Sequence, residues 1–194
     1  MTDASDESDA ADPDVTAGDP AETGSGPSGE GGRRGTVVVP VERTPTLRAT
    51  VAHAVESAAS GEFSAVHFVE IASWRDGDPE SEERTAEAER ILERVLAWAE
   101  ADLADSDADE TDVTIAVDLI GSDDYLFGPD DYVSVLVEYA EENDCDAVLL
   151  DPEYTPVGNT TLLQPLEFAL SNTGLAVETA PVTRPTRRER LRSE

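Results

Sequence analysis

The run Thr36-Val37-Val38-Val39-Pro40-Val41 constrains this chain more than any other stretch. It is β-branched at almost every position and has no polar alternation. That pattern marks a strand buried on both faces, as in the middle of a parallel sheet. Thr44 and Pro45 follow as a helix-start signal. Leu47, Val51, Ala54, Val55 and Ala58 then recur on one face of a helix. A buried strand feeding directly into an amphipathic helix is the first half of a βαβ unit, and the rest of the chain repeats the pattern.

Gly61 ends the first helical region and Ala65–Ile71 reads as a second strand. Asp78-Pro79-Glu80 supplies a cap, a proline at the first helical position and acid in the first turn. The long helix that follows turns Ala88, Ile91, Leu92, Val95, Ala99 and Leu103 inward, with Trp98 on its flank. Val113–Val117, continuing towards Ile120, is a third strand, followed by the loop Gly121–Gly128. Pro129 opens a third helix with Tyr132, Val133, Leu136, Val137 and Ala140 inward, and Asn143 stops it. Asp146–Leu150 is a fourth strand. A short helix carrying Leu162, Leu163, Leu166 and Leu170 ends at 172–174, before a fifth strand from Leu175 to Ala180. Five strands alternating with four helices predict an α/β fold, a five-stranded parallel doubly wound sheet. Its first strand is expected to be central, with a ligand crevice beyond the carboxyl ends of strands one and four.

Charge decides what surrounds this domain. The 194 residues carry 44 acids against 13 basic residues, all arginine, for a net charge of −31. Residues 1–35 hold nine acids and two arginines, so the acid is spread through the folded part as well. With Val15 as the one sizeable aliphatic in residues 1–35, that leader is expected to be disordered. The domain is expected over 36–182 and a basic tail over 183–194. Acid spread over a periodic, core-forming chain fits an intracellular protein of an extreme halophile, because molar salt shortens the Debye length to about 3 Å. No nucleic-acid partner is expected. The acidic N-terminus has neither a basic nor an apolar signal region, and no apolar run approaches the roughly 20 residues of a membrane span. A cytoplasmic location follows as the expectation.

Catalytic chemistry is sparse. His53 falls on a helix flank and His67 inside the second strand, neither near a nucleophile elbow. Cys145 precedes a buried strand with no basic neighbour and is expected to pack, not react. Asp123, Asp124, Asp130 and Asp131 are read as solvated or capping acids, and no His/Cys metal constellation exists. Gly158-Asn159-Thr160-Thr161 opens the fourth helix, a position able to hold phosphate through backbone N–H groups. Against that, residues 95–183 contain no Arg or Lys and carry 21 acids. No enzyme activity and no cofactor are expected.

The order Val37-Val38-Val39-Pro40-Val41, helix, Ala65-Val66-His67-Phe68-Val69, long helix, strand, helix, Asp146-Ala147-Val148-Leu149-Leu150 resembles the universal stress protein family. The resemblance spans nearly all of 36–182. ATP-binding members of that family carry an Asp in the first strand–helix loop, where this chain has Glu42 nearby. They also carry G-x2-G-x9-G-[ST] after strand four. The corresponding stretch here, Asp151 to Pro165, keeps one of the three glycines, so the resemblance does not carry ATP binding over.

A narrower resemblance rests on Asp123-Asp124-Tyr125-Leu126-Phe127-Gly128-Pro129-Asp130-Asp131-Tyr132, Leu150-Asp151-Pro152-Glu153-Tyr154 and Val177 to Leu191. These segments are similar to a halophilic archaeal subgroup. There the domain forms the cytosolic N-terminal part of the E-type component of a multisubunit monovalent cation/proton antiporter, followed by a basic linker and a short membrane portion. The resemblance implies a non-enzymatic, peripheral or regulatory component at the inner face of the membrane. Antiporter membrane subunits are the implied partners, and a homodimer is a second assembly to test. Arg184, Arg187, Arg188, Arg190 and Arg192, five of the 13 arginines, match the basic linker and are the expected membrane or partner contacts. The alternative is a free-standing ATP-binding universal stress protein, and a nucleotide hydrolase of the same fold is a further rival.

Overall fold

The computed structural model describes residues 34–73, 79–106, 113–122, 129–154 and 163–182. Residues 1–33, 74–78 with the expected cap Asp78, 107–112, 123–128, 155–162 and the basic tail 183–194 lie outside them.

Five strands and four helices alternate along the chain. They are β1 (Arg34–Pro40), α1 (Leu47–Ala59), β2 (Phe63–Ser73), α2 (Pro79–Ala104), β3 (Thr114–Ser122), α3 (Pro129–Glu142), β4 (Cys145–Leu150), α4 (Leu163–Ser171) and β5 (Ala176–Thr179). All strand pairs are parallel, in the order β3-β2-β1-β4-β5. The expected fold class and the central place of β1 are therefore observed. Strand order reverses between β1 and β4, which makes their carboxyl ends the topological switch point.

Strand periodicity explains why β1 is apolar throughout. Val37 and Val39 point into a core with α1 and α2 residues such as Val51, Val55, Leu92 and Val95. Val38 points the other way, among Leu136, Ala140, Leu166 and Leu170 of α3 and α4. Each face of the sheet thus receives alternate residues of the same strand, and both faces are covered. Gly61, with φ of +85°, supplies the left-handed turn after α1. Among the described residues no helix is long and apolar enough to cross a membrane.

Strands extend further than the sequence suggests. Gly121 and Ser122, expected in a loop, close β3 by pairing with Ala72 and Ser73 of a lengthened β2. Glu70, already within the expected strand, pairs with Leu119 of β3 and lies beyond Phe68 on the face shared with α1 and α2.

Candidate functional site

Two acidic side chains organise the carboxyl end of the sheet. Asp151 follows β4 directly and is buried. Its Oδ1 accepts hydrogen bonds from Thr46 Oγ1 at 2.6 Å and from the Glu153 backbone N–H at 2.7 Å. Its Oδ2 accepts from Thr50 Oγ1 at 2.7 Å and Thr44 Oγ1 at 3.1 Å. The three threonines come from the β1–α1 connection and the first turn of α1. Thr46 sits at the N-cap of α1 yet makes no side-chain cap bond, because its hydroxyl is given to Asp151. Two donors per carboxylate oxygen make the charge tolerable in a buried place. The same net ties β1 to β4 across the switch point.

Among the described residues a cavity opens next to this net, beyond β1 and β2; the segment 155–162, which would line the crevice expected beyond strands one and four, lies outside them. The cavity encloses about 370 Å³ between Glu42 and Arg43 after β1, Glu70, Ile71 and Ala72 of β2, Arg84, Glu87, Ala88 and Ile91 of α2, and Tyr132 of α3. Glu70 lies within the wall, and its Oε2 is shut off from solvent without a hydrogen-bond partner. Burial first, then the negative charges of Glu42 and Glu87, push its carboxyl up to about 8. The same surroundings push Tyr132 up to about 12, through burial and then Glu42 and Glu70. Burial chiefly, helped by Tyr132, Glu70 and Glu42, holds the Tyr154 hydroxyl well above its usual range. At the rim Arg43 pairs with Glu87 at 3.3 Å.

His67 finds its partner on the opposite face of β2. Its Nδ1 lies 3.0 Å from Tyr139 Oη, and that hydroxyl donates to Asp118 Oδ2 at 2.5 Å. Burial lowers the His67 pKa, and Asp118 opposes the fall. Burial and the bond to Asp118 raise Tyr139 well above its ordinary value. A phenol so hard to deprotonate is no base, and the trio braces α3 against β2 and β3. Cys145 is buried, and desolvation, with Asp146 and Asp144, pushes its thiol up to about 11, in keeping with a packing role. Asp131 is exposed on α3. Among the described residues no group of three or more His, Cys, Asp or Glu could hold a metal ion.

Several sequence-level candidates lie outside the described residues: Arg184, Arg187, Arg188, Arg190 and Arg192, the stretch 158–161, and Asp123 and Asp124. Conversely, Glu70, Asp151 and the threonine trio carry the local chemistry without having been singled out as a site. Glu70 had a visible signal, a lone carboxyl inside the apolar run Ala65–Ile71. The Asp151 net had none, since its three threonine donors lie about a hundred residues away in the chain.

No family model matches the sequence, and no curated protein matches it. Solved structures do match in shape. Universal stress protein UspA from Lactobacillus plantarum superposes with a TM-score of 0.55 at 12% identity, over 76% of this chain and 98% of that one. A protein of the universal stress protein family from Burkholderia pseudomallei gives 0.52 at 16% identity, over 76% and 96%. The universal stress protein from Archaeoglobus fulgidus in complex with dAMP gives 0.50 at 15% identity, over 75% and 97%. The all-parallel sheet of order β3-β2-β1-β4-β5, layered by α1 and α2 on one face and α3 and α4 on the other, is the fold of the universal stress proteins.

Proposed function

We propose that this chain is a non-enzymatic, universal-stress-like docking domain that serves as a peripheral or regulatory component of a multisubunit monovalent cation/proton antiporter. The observation that carries the docking reading is the carboxylate of Asp151 in the β1/β4 switch point, held by four donors of the chain itself. A phosphate entering there meets a carboxyl group whose surrounding donors are already taken, and residues 95–183 offer no basic side chain to hold it. The antiporter association rests on the resemblance of 123–132, 150–154 and 177–191 to the cytosolic domain of the E-type antiporter component, and on the five-arginine tail. Co-expression with the antiporter membrane subunits tests it. The chain is expected to fractionate with membranes, and replacing Arg184, Arg187, Arg188, Arg190 and Arg192 by glutamine is expected to release it. Wild-type protein that stays wholly in the supernatant beside those membrane proteins refutes the association.

The second reading, a nucleotide-binding stress protein, is favoured by the neighbour of this fold that was solved with dAMP. Calorimetry with ATP and dAMP in molar KCl separates the two. Docking alone predicts no saturable heat, whereas a micromolar dissociation constant that is lost in Gly158→Ala establishes the nucleotide reading.

A further inference from the structure

The cavity beyond β1 and β2 contains a group that the fold does not need. Along the face of β2 shared with α1 and α2, Val66 and Phe68 are fully buried and apolar, and Glu70 continues that line. Native chains seldom leave a buried polar atom without a partner, yet Glu70 Oε2 has none. We propose that this cavity binds a small organic cation of single charge, an alkylammonium or alkylguanidinium. Its N–H groups bond to Glu70, and its alkyl body lies on Ile71, Ala72, Ala88 and Ile91.

Charge, size and chemistry each narrow the occupant. The lining holds three carboxylates, Glu42, Glu70 and Glu87, against the two guanidiniums Arg43 and Arg84. With Glu70 ionised the wall carries one net negative charge, which one positive ligand charge cancels and an anion would worsen. The Arg43–Glu87 pair sits at the exposed rim, so the excess negative charge lies deeper, around Glu70. The volume of about 370 Å³ equals the liquid share of about a dozen waters, far more than a bare inorganic ion fills. No group of three or more ligating side chains among the described residues is placed to hold a metal. The apolar part of the wall favours a ligand with a hydrocarbon body over a hydrated ion.

Binding is coupled to a proton. Glu70 faces Glu42 and Arg43 from the segment after β1, Arg84 and Glu87 from α2, Tyr132 from α3 and Tyr154 from the turn after β4. Burial and the neighbouring carboxylates keep it protonated at neutral pH. A cation that takes the place of that proton releases about one proton per molecule bound. Its affinity therefore rises roughly tenfold between pH 6 and 7 and levels off above the Glu70 pKa of about 8.

The test is calorimetry on the full chain in molar KCl with n-butylammonium and n-butylguanidinium chlorides. n-Butanol and butyrate serve as the neutral and anionic counterparts. Both cations are expected to saturate a single site, with proton release at pH 7 and little at pH 9.5, while butanol and butyrate give no saturation. Glu70→Gln is expected to weaken the cations at least tenfold at pH 9.5 and to abolish the pH dependence. A melt of that variant at or above the wild-type midpoint verifies that it is folded. A readout that needs no variant is the 13C carboxyl resonance of Glu70, which is expected to move to its ionised position when n-butylammonium is added at pH 7. Absence of cation binding at pH 9.5, equal binding of butanol, unchanged binding by Glu70→Gln, or an unmoved Glu70 resonance each overturns the proposal.

Discussion

Asp151 and Glu70 are two carboxyl groups at the same end of one sheet, and the protein treats them oppositely. Asp151 is buried among hydroxyls and a backbone N–H that give each of its oxygens two donors. Glu70 is half-buried among other acids and a hydrocarbon wall, and its solvent-shielded Oε2 receives no donor. Burial alone decides neither outcome, because desolvation penalises the charged form in both places. What differs is the supply of donors. The β1–α1 segment spends Thr44, Thr46 and Thr50 on one acid and leaves Glu42 and Arg43 facing the other. One region is thereby locked and the other is left open to a ligand and to protons.

The largest effect is expected from emptying the locked region. Asp151→Ala leaves three threonine hydroxyls and the Glu153 N–H without their acceptor, at a cost of about 4 kcal/mol. Asp151→Asn keeps the shape and one accepting oxygen, and is expected to cost about 2 kcal/mol, since its NH2 must face a donor. Urea denaturation in molar KCl measures both. A loss below about 1 kcal/mol for the alanine variant would show that the β1–β4 tie does not stabilise the domain.

Reversing the character of the open region comes next. Glu70 has its pKa raised in the folded protein, so between about 4.5 and 8 the native state binds a proton that the unfolded chain has lost. Its contribution to stability is therefore greatest below pH 4.5, falls as pH rises, and is constant above about 8. Glu70→Gln does not titrate. Relative to wild type it is expected to gain stability from pH 5 to pH 9, by at most about 4 kcal/mol, and by about 3 once salt screens Glu42 and Glu87. Parallel stability curves for the two proteins across that range would mean that Glu70 titrates like an exposed acid.

How much of this is legible in the sequence depends on whether the information is local. The valines of β1, the helical stripe from Leu47 to Ala58 and the apolar core of β4 are local patterns, and each gives the observed element. The lengths of β2 and β3 are not local, because Gly121 and Ser122 become strand only by pairing with Ala72 and Ser73. Glu70 lies between those cases. Its place in an apolar run is visible, but the surrounding acids come from the segment after β1 and from α2, so its lack of a donor is not. The threonine part of the Asp151 net is long-range. Thr44 and Thr46 read as helix-start residues, and their use as carboxylate donors appears only once β4 is beside β1.

Single threonines grade the locked region. Thr46 and Thr50 are buried and reach Asp151 at 2.6 and 2.7 Å. Removing either hydroxyl in Thr46→Val or Thr50→Val keeps the β-branched shape and takes one donor from a buried carboxylate, a loss of about 1.5 kcal/mol each. Combined with Asp151→Asn, either valine is expected to cost less than it does alone, because the two changes act on one interaction. Additive losses would place the threonine effect in packing.

Thr44→Val is expected to have the smallest effect, and it therefore tests the comparison most finely. Thr44 is only half-buried, and its hydroxyl stands 3.1 Å from Asp151 Oδ2, the longest of the four bonds. The oxygen it serves keeps Thr50 when Thr44 is removed, and the lost donor is partly replaced by water. Thr46 keeps its own bond to Asp151 Oδ1 when Thr44 is removed, because its single proton already goes there. These features set the expected loss at about 0.5 kcal/mol, a third of that at Thr46. A loss as large as that of Thr46→Val would mean that Asp151 depends on all four donors together. The lock would then be a cooperative unit, and Asp151→Asn should lose nearly as much as Asp151→Ala.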